Sequence, residues 1–277
     1  MQADTTIGFI GAGNMASAIF GGLIQTGRDP KTIQVFDPDS EKTGRLREQL
    51  GIRVAEGNEQ LVISSDVLVL AVKPQVMRDV LTPLGAALPE APPLVISVAA
   101  GIRVASMEDW LGRRLPVIRV MPNTPSLVGA GAAGLYANDL VTTAHRDAAE
   151  SLLQAVGITE WVDDEQQLDT VTGIAGSGPA YFMLFMEAMV EAAAARGLDR
   201  DTAHRLVVQT CGGAAELARR SPESLEQLRI NVTSPGGTTE RALDTMKAGG
   251  VDEIIHRAVN AAADRADELA TTLAQEQ

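Results

Sequence analysis

A single cysteine, Cys211, in 277 residues leaves no partner for an internal disulfide. It stands among small residues in a helical context, which predicts a buried structural thiol. Positive charge is also short: 23 Lys and Arg face 36 Asp and Glu, a formal net charge of -13. A chain so acidic is not expected to offer nucleic acid or anionic lipid a large basic surface. The first residues lack the basic region, apolar stretch and small-residue cleavage site of a secretory leader, so a cytoplasmic protein is expected. Long apolar runs are missing too. The most membrane-like stretch, 180–195, is interrupted by Glu187 and Glu191, four apart on one helical face, and is short of the roughly 20 residues that a bilayer span needs. It predicts a buried helix of a soluble protein. No internal repeat, low-complexity tract or metal site is read from the sequence.

What is present is ordinary globular material, 45% hydrophobic and long enough for a substantial core in two domains. Residues 5–10, 32–36, 67–71, 94–97, 117–119 and 159–162 read as short strands, most of them continuously apolar, as strands covered on both faces are. Helical stretches fall between several of them. That alternation predicts an α/β fold with a doubly wound, mostly parallel sheet. From about Asp164 the texture turns to alanine-, leucine- and methionine-rich helices, among them 199–218 and 251–273, so the second half is expected to be all helical. Asp163, Asp164 and Glu165 mark the boundary, giving domains of 1–163 and 164–277.

Chemistry first appears in Gly8-Phe9-Ile10-Gly11-Ala12-Gly13-Asn14-Met15-Ala16. Gly11 permits a tight turn, Gly13 lets backbone approach a pyrophosphate, and Ala16 lets the following helix pack on the strand, while the helix start offers free N–H groups to phosphate oxygens. Because the turn follows an apolar strand and opens a helix within a βαβ pattern, it predicts a Rossmann-type dinucleotide site. A second strand ends near Asp37, whose carboxylate is suited to accept from ribose hydroxyls and to repel a 2'-phosphate; a solvated acidic turn is the competing reading, and Lys42 and Arg45 lie within one or two helical turns. Lys73, in Ala71-Val72-Lys73-Pro74, falls at a strand's carboxyl end, either as a coenzyme contact or as a surface lysine. Ser97-Val98-Ala99-Ala100-Gly101 offers small side chains that a flat ring could approach.

Three further segments carry polar groups on restrained backbone. Met121-Pro122-Asn123-Thr124-Pro125 is a candidate rigid turn. Gly176-Ser177-Gly178-Pro179-Ala180-Tyr181 places Ser177 near a helix cap and Pro179 in the first turn. Asn231-Val232-Thr233-Ser234-Pro235-Gly236-Gly237-Thr238-Thr239-Glu240 is a hydroxyl-rich turn feeding a helix, which reads either as a capping loop or as a site for a small carboxylate.

Taken in order, the FIGAGNMA, AVKP, SVAAG, MPNTP, GSGPAY and SPGGTT segments resemble pyrroline-5-carboxylate reductase over nearly the whole chain. The resemblance implies hydride transfer from NADPH or NADH to the cyclic imine 1-pyrroline-5-carboxylate, giving L-proline. It also implies a helical dimerisation domain that interleaves with a partner subunit, as a homodimer or a larger ring of dimers. Gly11, Ala12, Gly13, Asn14, Met15, Asn58, Ala71, Val72, Lys73, Pro74, Val98, Ala99 and Ala100 would line the coenzyme site. Asn231, Ser234, Gly237, Thr238 and Thr239 would surround the substrate, with Thr239 orienting its ring as the catalytic residue. Two departures stand out: Asp37 replaces a small polar residue common in the family, and 221–230 differs from the family's usual pattern. The alternatives are a hydroxyacid dehydrogenase of similar build, which needs a basic residue that the helix at 179–195 lacks, and a non-catalytic dinucleotide-binding regulator, which has no need of the SPGGTT loop.

Overall fold

Strands without polar interruption are stable only where helices cover both of their faces, and the chain is built that way. The computed structural model describes residues 2–275. Its first part runs β1 (Ile7–Ile10), α1 (Asn14–Gln25), β2 (Ile33–Phe36), α2 (Ser40–Leu50), β3 (Arg53–Val54), α3 (Asn58–Ser64), β4 (Val67–Leu70), α4 (Met77–Leu81), β5 (Leu94–Ser97) and α5 (Val104–Trp110). There follow β6 (Val117–Met121), β7 (Gly131–Ala137), α6 (Thr143–Leu153), β8 (Gly157–Trp161) and α7 (Gln167–Val171). Beyond these, α8 (Gly178–Ala195), α9 (Arg200–Arg220), α10 (Leu225–Asn231), α11 (Thr238–Ala248) and α12 (Val251–Gln275) make the remainder helical. No described helix is long and apolar enough to cross a membrane.

The strands form one sheet in the order β3-β2-β1-β4-β5-β6-β7-β8, parallel throughout except between β6 and β7. Alternate side chains feed two cores, one on each face. Ile7, Phe9, Val67 and Val69 pack with Ile19, Phe20 and Leu152. Ile10, Leu68, Leu70 and Val95 pack with Leu61, Met77 and Met107. Phe9 and Phe20 meet edge to face with ring centroids 5.4 Å apart.

The chain winds from β1 to β3 on one side and from β4 to β6 on the other, so strand order reverses between β1 and β4, where open α/β sheets bind their ligands. The register sharpens that placement. Ile10 pairs with both Phe36 and Leu70, and Leu70 with Ser97. Gly11, Asp37, Ala71 and Val98 therefore leave the carboxyl edge of the sheet side by side, tied by N–H···O bonds from Gly11 to Phe36 (2.8 Å), Ala71 to Ile10 (2.9 Å) and Val98 to Leu70 (3.1 Å).

Several expectations are corrected. β3 and β7 are strands that periodicity did not show: β3 is two residues long, and β7 lacks β-branched residues but pairs antiparallel with β6. A Cβ at Gly134 would lie only 2.8 Å from Val171 Cγ1, so small residues are what lets α7 pack there. Residues 180–195 form the expected helix, but it is not buried within its own chain: Phe182 is 63% and Leu184 67% exposed. Cys211 is half-buried. Ser177 does not cap a helix start, because α7 passes through one π turn, Thr172–Gly176, directly into α8, with the Ser177 N–H donating to the Thr172 carbonyl.

The chain divides into two compact units, one running to Ser177 and resuming at Asn260, the other spanning Gly178–Val259. Within the first, charged side chains clasp the end of α12. Arg103 bridges Asp169 (2.5 Å) and Asp267 (2.9 Å), and the buried Arg119 pairs with Glu165 at 2.8 Å. The Glu165 carboxylate also accepts from the Val104 N–H at 2.8 Å. Ala266 and Ala270 are buried, and Leu273 packs on the second core.

Candidate functional site

On the sheet unit the site is made by four strand ends and the turn above them. Gly11 has φ +97°, and a Cβ there would fall 2.8 Å from the Ala71 carbonyl oxygen, so the turn requires glycine twice over. Gly13 is different. Its backbone is extended, with φ -69°, and a Cβ there would meet nothing nearer than the Ala71 oxygen at 4.0 Å. The space beside it is therefore open. Gly13 is also the N-cap of α1, with no side-chain cap and no acidic residue in the first turn, so the positive helix end and its amides have no competing carboxylate of their own. Ala12 and Ala16 are fully buried beneath this turn, whereas Asn14 is exposed and Met15 half-buried.

Asp37 is drawn into the turn. Its Oδ2 accepts from the Ala12 N–H at 2.8 Å and from Lys42 Nζ at 3.2 Å, and its Oδ1 accepts from the Asp39 N–H at 3.1 Å. Burial opposes ionisation, but these hydrogen bonds and the Lys42 charge outweigh it and hold the carboxyl below the usual aspartate range. Asn58 opens α3, and its Oδ1 is buried without a partner. An orphaned acceptor of that kind points to a donor from outside the chain. Together with the open space at Gly13 and the uncapped start of α1, it means that the residues present fit a dinucleotide.

Lys73 lies just past β4, exposed and without an ion pair among the described residues, and Pro74 starts a short 3-10 turn. Ala71 and Val72 are half-buried beside it. Of the neighbouring Val98, Ala99 and Ala100, only Ala100 is exposed. The MPNTP segment is a brace. Asn123 accepts from the Ala132 N–H at 2.9 Å and donates to the Ala175 carbonyl at 3.2 Å, which fixes the chain between β6 and β7.

The SPGGTT segment lies in the other unit, at the start of α11. Gly236 has φ +70°, Gly237 is the N-cap, and the Gly237 N–H donates to the Ser234 carbonyl at 3.0 Å. The hydroxyls of Ser234, Thr238 and Thr239 have no partner among the described residues, which leaves them free beside the positive end of a helix. Sequence reasoning missed the groups that hold this region in shape. Glu240 accepts from the Gly236 N–H at 2.7 Å. The Asn231 amide is fixed at both ends, its Oδ1 accepting from Gln227 Nε2 and its Nδ2 donating to Glu223 Oε2, each at 2.8 Å. Both Gln227 and Glu223 come from the stretch that departs from the family pattern. The Tyr181 hydroxyl, also unanticipated, is buried without a partner. The only signal for these ties was helical spacing, as between Gln227 and Asn231 or Gly236 and Glu240.

Comparison with known proteins covers both halves of the chain. A family model described as pyrroline-5-carboxylate reductase dimerisation matches residues 165–269, and one described as NADP oxidoreductase, coenzyme F420-dependent, matches residues 6–101. The chain is similar to the pyrroline-5-carboxylate reductase of Pseudomonas aeruginosa, 48% identical over 270 residues that cover 97% of this chain and 98% of that one. Among solved structures, a pyrroline-5-carboxylate reductase from Coxiella burnetii superposes with a TM-score of 0.92 at 44% identity, covering 96% of this chain and 98% of that chain. A Plasmodium falciparum pyrroline carboxylate reductase with NADP bound superposes with a TM-score of 0.85 at 28% identity, covering 98% of this chain and 100% of that chain. A Rossmann sheet unit, a helical unit matched by the dimerisation model, and near-complete coverage of a relative at 48% identity agree on one assignment: the chain belongs to the pyrroline-5-carboxylate reductase family of NAD(P)H-dependent oxidoreductases.

Proposed function

We propose that the protein reduces 1-pyrroline-5-carboxylate to L-proline, the last step of proline biosynthesis, in the cytoplasm. The observation that carries this reading is the loop at the start of α11, where three unpartnered hydroxyls stand beside an uncapped helix end in a chain that also holds a dinucleotide turn. A bound nicotinamide dinucleotide supplies the hydride that the imine carbon accepts.

The remaining work falls to positioning. Gly11 to Met15 hold the pyrophosphate at the start of α1, while Asp37, Asn58, Ala71 to Pro74 and Val98 to Ala100 line the rest of the coenzyme. The Thr238 and Thr239 amides and the Ser234 hydroxyl receive the substrate carboxylate, whose charge the α11 dipole favours. Thr239 directs its hydroxyl at the ring. Asn231, fixed by Glu223 and Gln227, has one N–H left to donate. No general base is required, because the substrate reacts as the protonated imine: its carbon accepts hydride while the proton stays on nitrogen as the ring amine, no hydroxyl proton is lost, and α8 contains neither Lys nor His. Rate enhancement then comes from orientation and from preorganised donors. Within residues 164–277, the helical unit Gly178–Val259 serves dimerisation and substrate binding, assembling a homodimer or a ring of dimers through the apolar surface of α8.

The test is to mix purified protein with pyrroline-5-carboxylate and follow oxidation of NADPH and NADH separately. Consumption of a reduced coenzyme, with proline formed in equal amount, is expected; oxidation of neither would overturn the assignment.

A further inference from the structure

Three carboxylates crowd the corner between the glycine turn and α2: Asp37 just past β2, Asp39 at the N-cap of α2 and Glu41 in its first turn. The two positive features of that corner are already engaged. The start of α2 is capped by Asp39, whose Oδ1 accepts from the Lys42 N–H at 3.0 Å. The Lys42 ammonium is paired with Asp37 at 3.2 Å. Arg45 lies further along α2 and is exposed, where water and salt screen its charge.

We propose that this corner makes the protein take NADH in preference to NADPH, with Asp37 as the selecting residue. The proposal rests on the reading of the glycine turn as the coenzyme site. A carboxylate offers about four lone-pair positions. Asp37 uses two on Oδ2, for Ala12 and Lys42, and one on Oδ1, for Asp39, so one position on Oδ1 remains for a donor. An adenosine ribose with a free 2'-hydroxyl supplies that donor. A 2'-phosphate brings only acceptors and up to two negative charges, and it meets a carboxylate that cannot swing away, because the Ala12 amide of the glycine turn holds it. The Asp37 charge is secure at neutral pH and Lys42 already offsets part of it, so admitting the phosphate means breaking the Lys42 pair and leaving Asp37 beside a second anion. The NADP-bound relative from Plasmodium falciparum shares only 28% of its sequence with this chain, which leaves room for the coenzyme corner to differ.

Calorimetric titration of the full-length protein with NADH, NADPH, 5'-AMP and 2',5'-ADP tests this without turnover. NADH is expected to bind at least about tenfold more tightly than NADPH, and 5'-AMP more tightly than 2',5'-ADP by a similar factor, since the two pairs differ only in the 2'-phosphate. Asp37→Asn keeps an oxygen for the Ala12 N–H while removing the charge, and it should shrink the NADH preference by about tenfold. Asp37→Ser, which also opens room for a phosphate, should carry the ratio further towards NADPH and serves if the Asn variant does not fold. Wild-type binding of NADPH as tight as that of NADH overturns the selection while leaving the coenzyme site standing. A preference unchanged in both variants removes Asp37 from the selection, and binding of neither dinucleotide overturns the coenzyme reading itself.

Discussion

The two compact units treat their apolar residues in opposite ways. In the sheet unit Ile7, Phe9, Ile19, Phe20 and Leu61 are fully buried, and each face of the sheet closes over its own core. Between Gly178 and Val259 only Gly178, Ala203 and Val207 are buried among the described residues, while Phe182, Leu184, Leu206 and Leu225 are more than half exposed. Exposed apolar surface on this scale marks an association site. The sheet unit closes its cores within one copy, whereas the helical unit leaves its apolar residues exposed over the stretch that the dimerisation model matches, residues 165–269.

That contrast can be broken by placing charge where only association buries the surface. Phe182→Glu with Phe185→Glu should weaken association at least about a hundredfold, seen by light scattering as a monomer that still binds coenzyme. An unchanged mass would show that this face of α8 is not the interface. The converse change is Phe20→Ala, which removes a fully buried ring packed on Phe9 and should cost about 3–5 kcal/mol in denaturant unfolding while the folded fraction keeps its oligomeric mass. The smallest of these effects belongs to the functional loop. Thr239→Val should lower kcat/KM for pyrroline-5-carboxylate about tenfold, the size of one hydrogen bond, and leave the coenzyme Kd unmoved. A coenzyme Kd that shifts with kcat/KM would mean that the two units do not divide their ligands in this way.

What could be read from the sequence follows the same division. β1, β2, β4, β5 and β6 were legible because strands covered on both faces are written as mostly apolar runs, interrupted here only by Gln34 in β2, Ser97 at the end of β5 and Arg119 in β6, and the glycine turn because Gly11 is demanded by backbone geometry. β7 escaped because Gly131-Ala132-Ala133-Gly134 is selected for close packing by its neighbours, a tertiary demand that propensity does not carry. α8 was legible as a helix but not as an exposed one, since composition records that a residue will be buried and not whether its own chain buries it. At the site, backbone features announced themselves, whereas the Asp37 link to Ala12, 25 positions away, depends on strand register.

The C-terminal half of α12 belongs to the sheet unit, where Asp267 meets Arg103 and Leu273 packs on the second core. These residues are the last of the unit to be synthesised. A nascent chain on the ribosome can pair β1 to β8, yet it waits for the whole helical unit to emerge before Arg103 finds its second carboxylate and the second core receives Leu273. Completion of the dinucleotide unit therefore requires that the association surface has been made first.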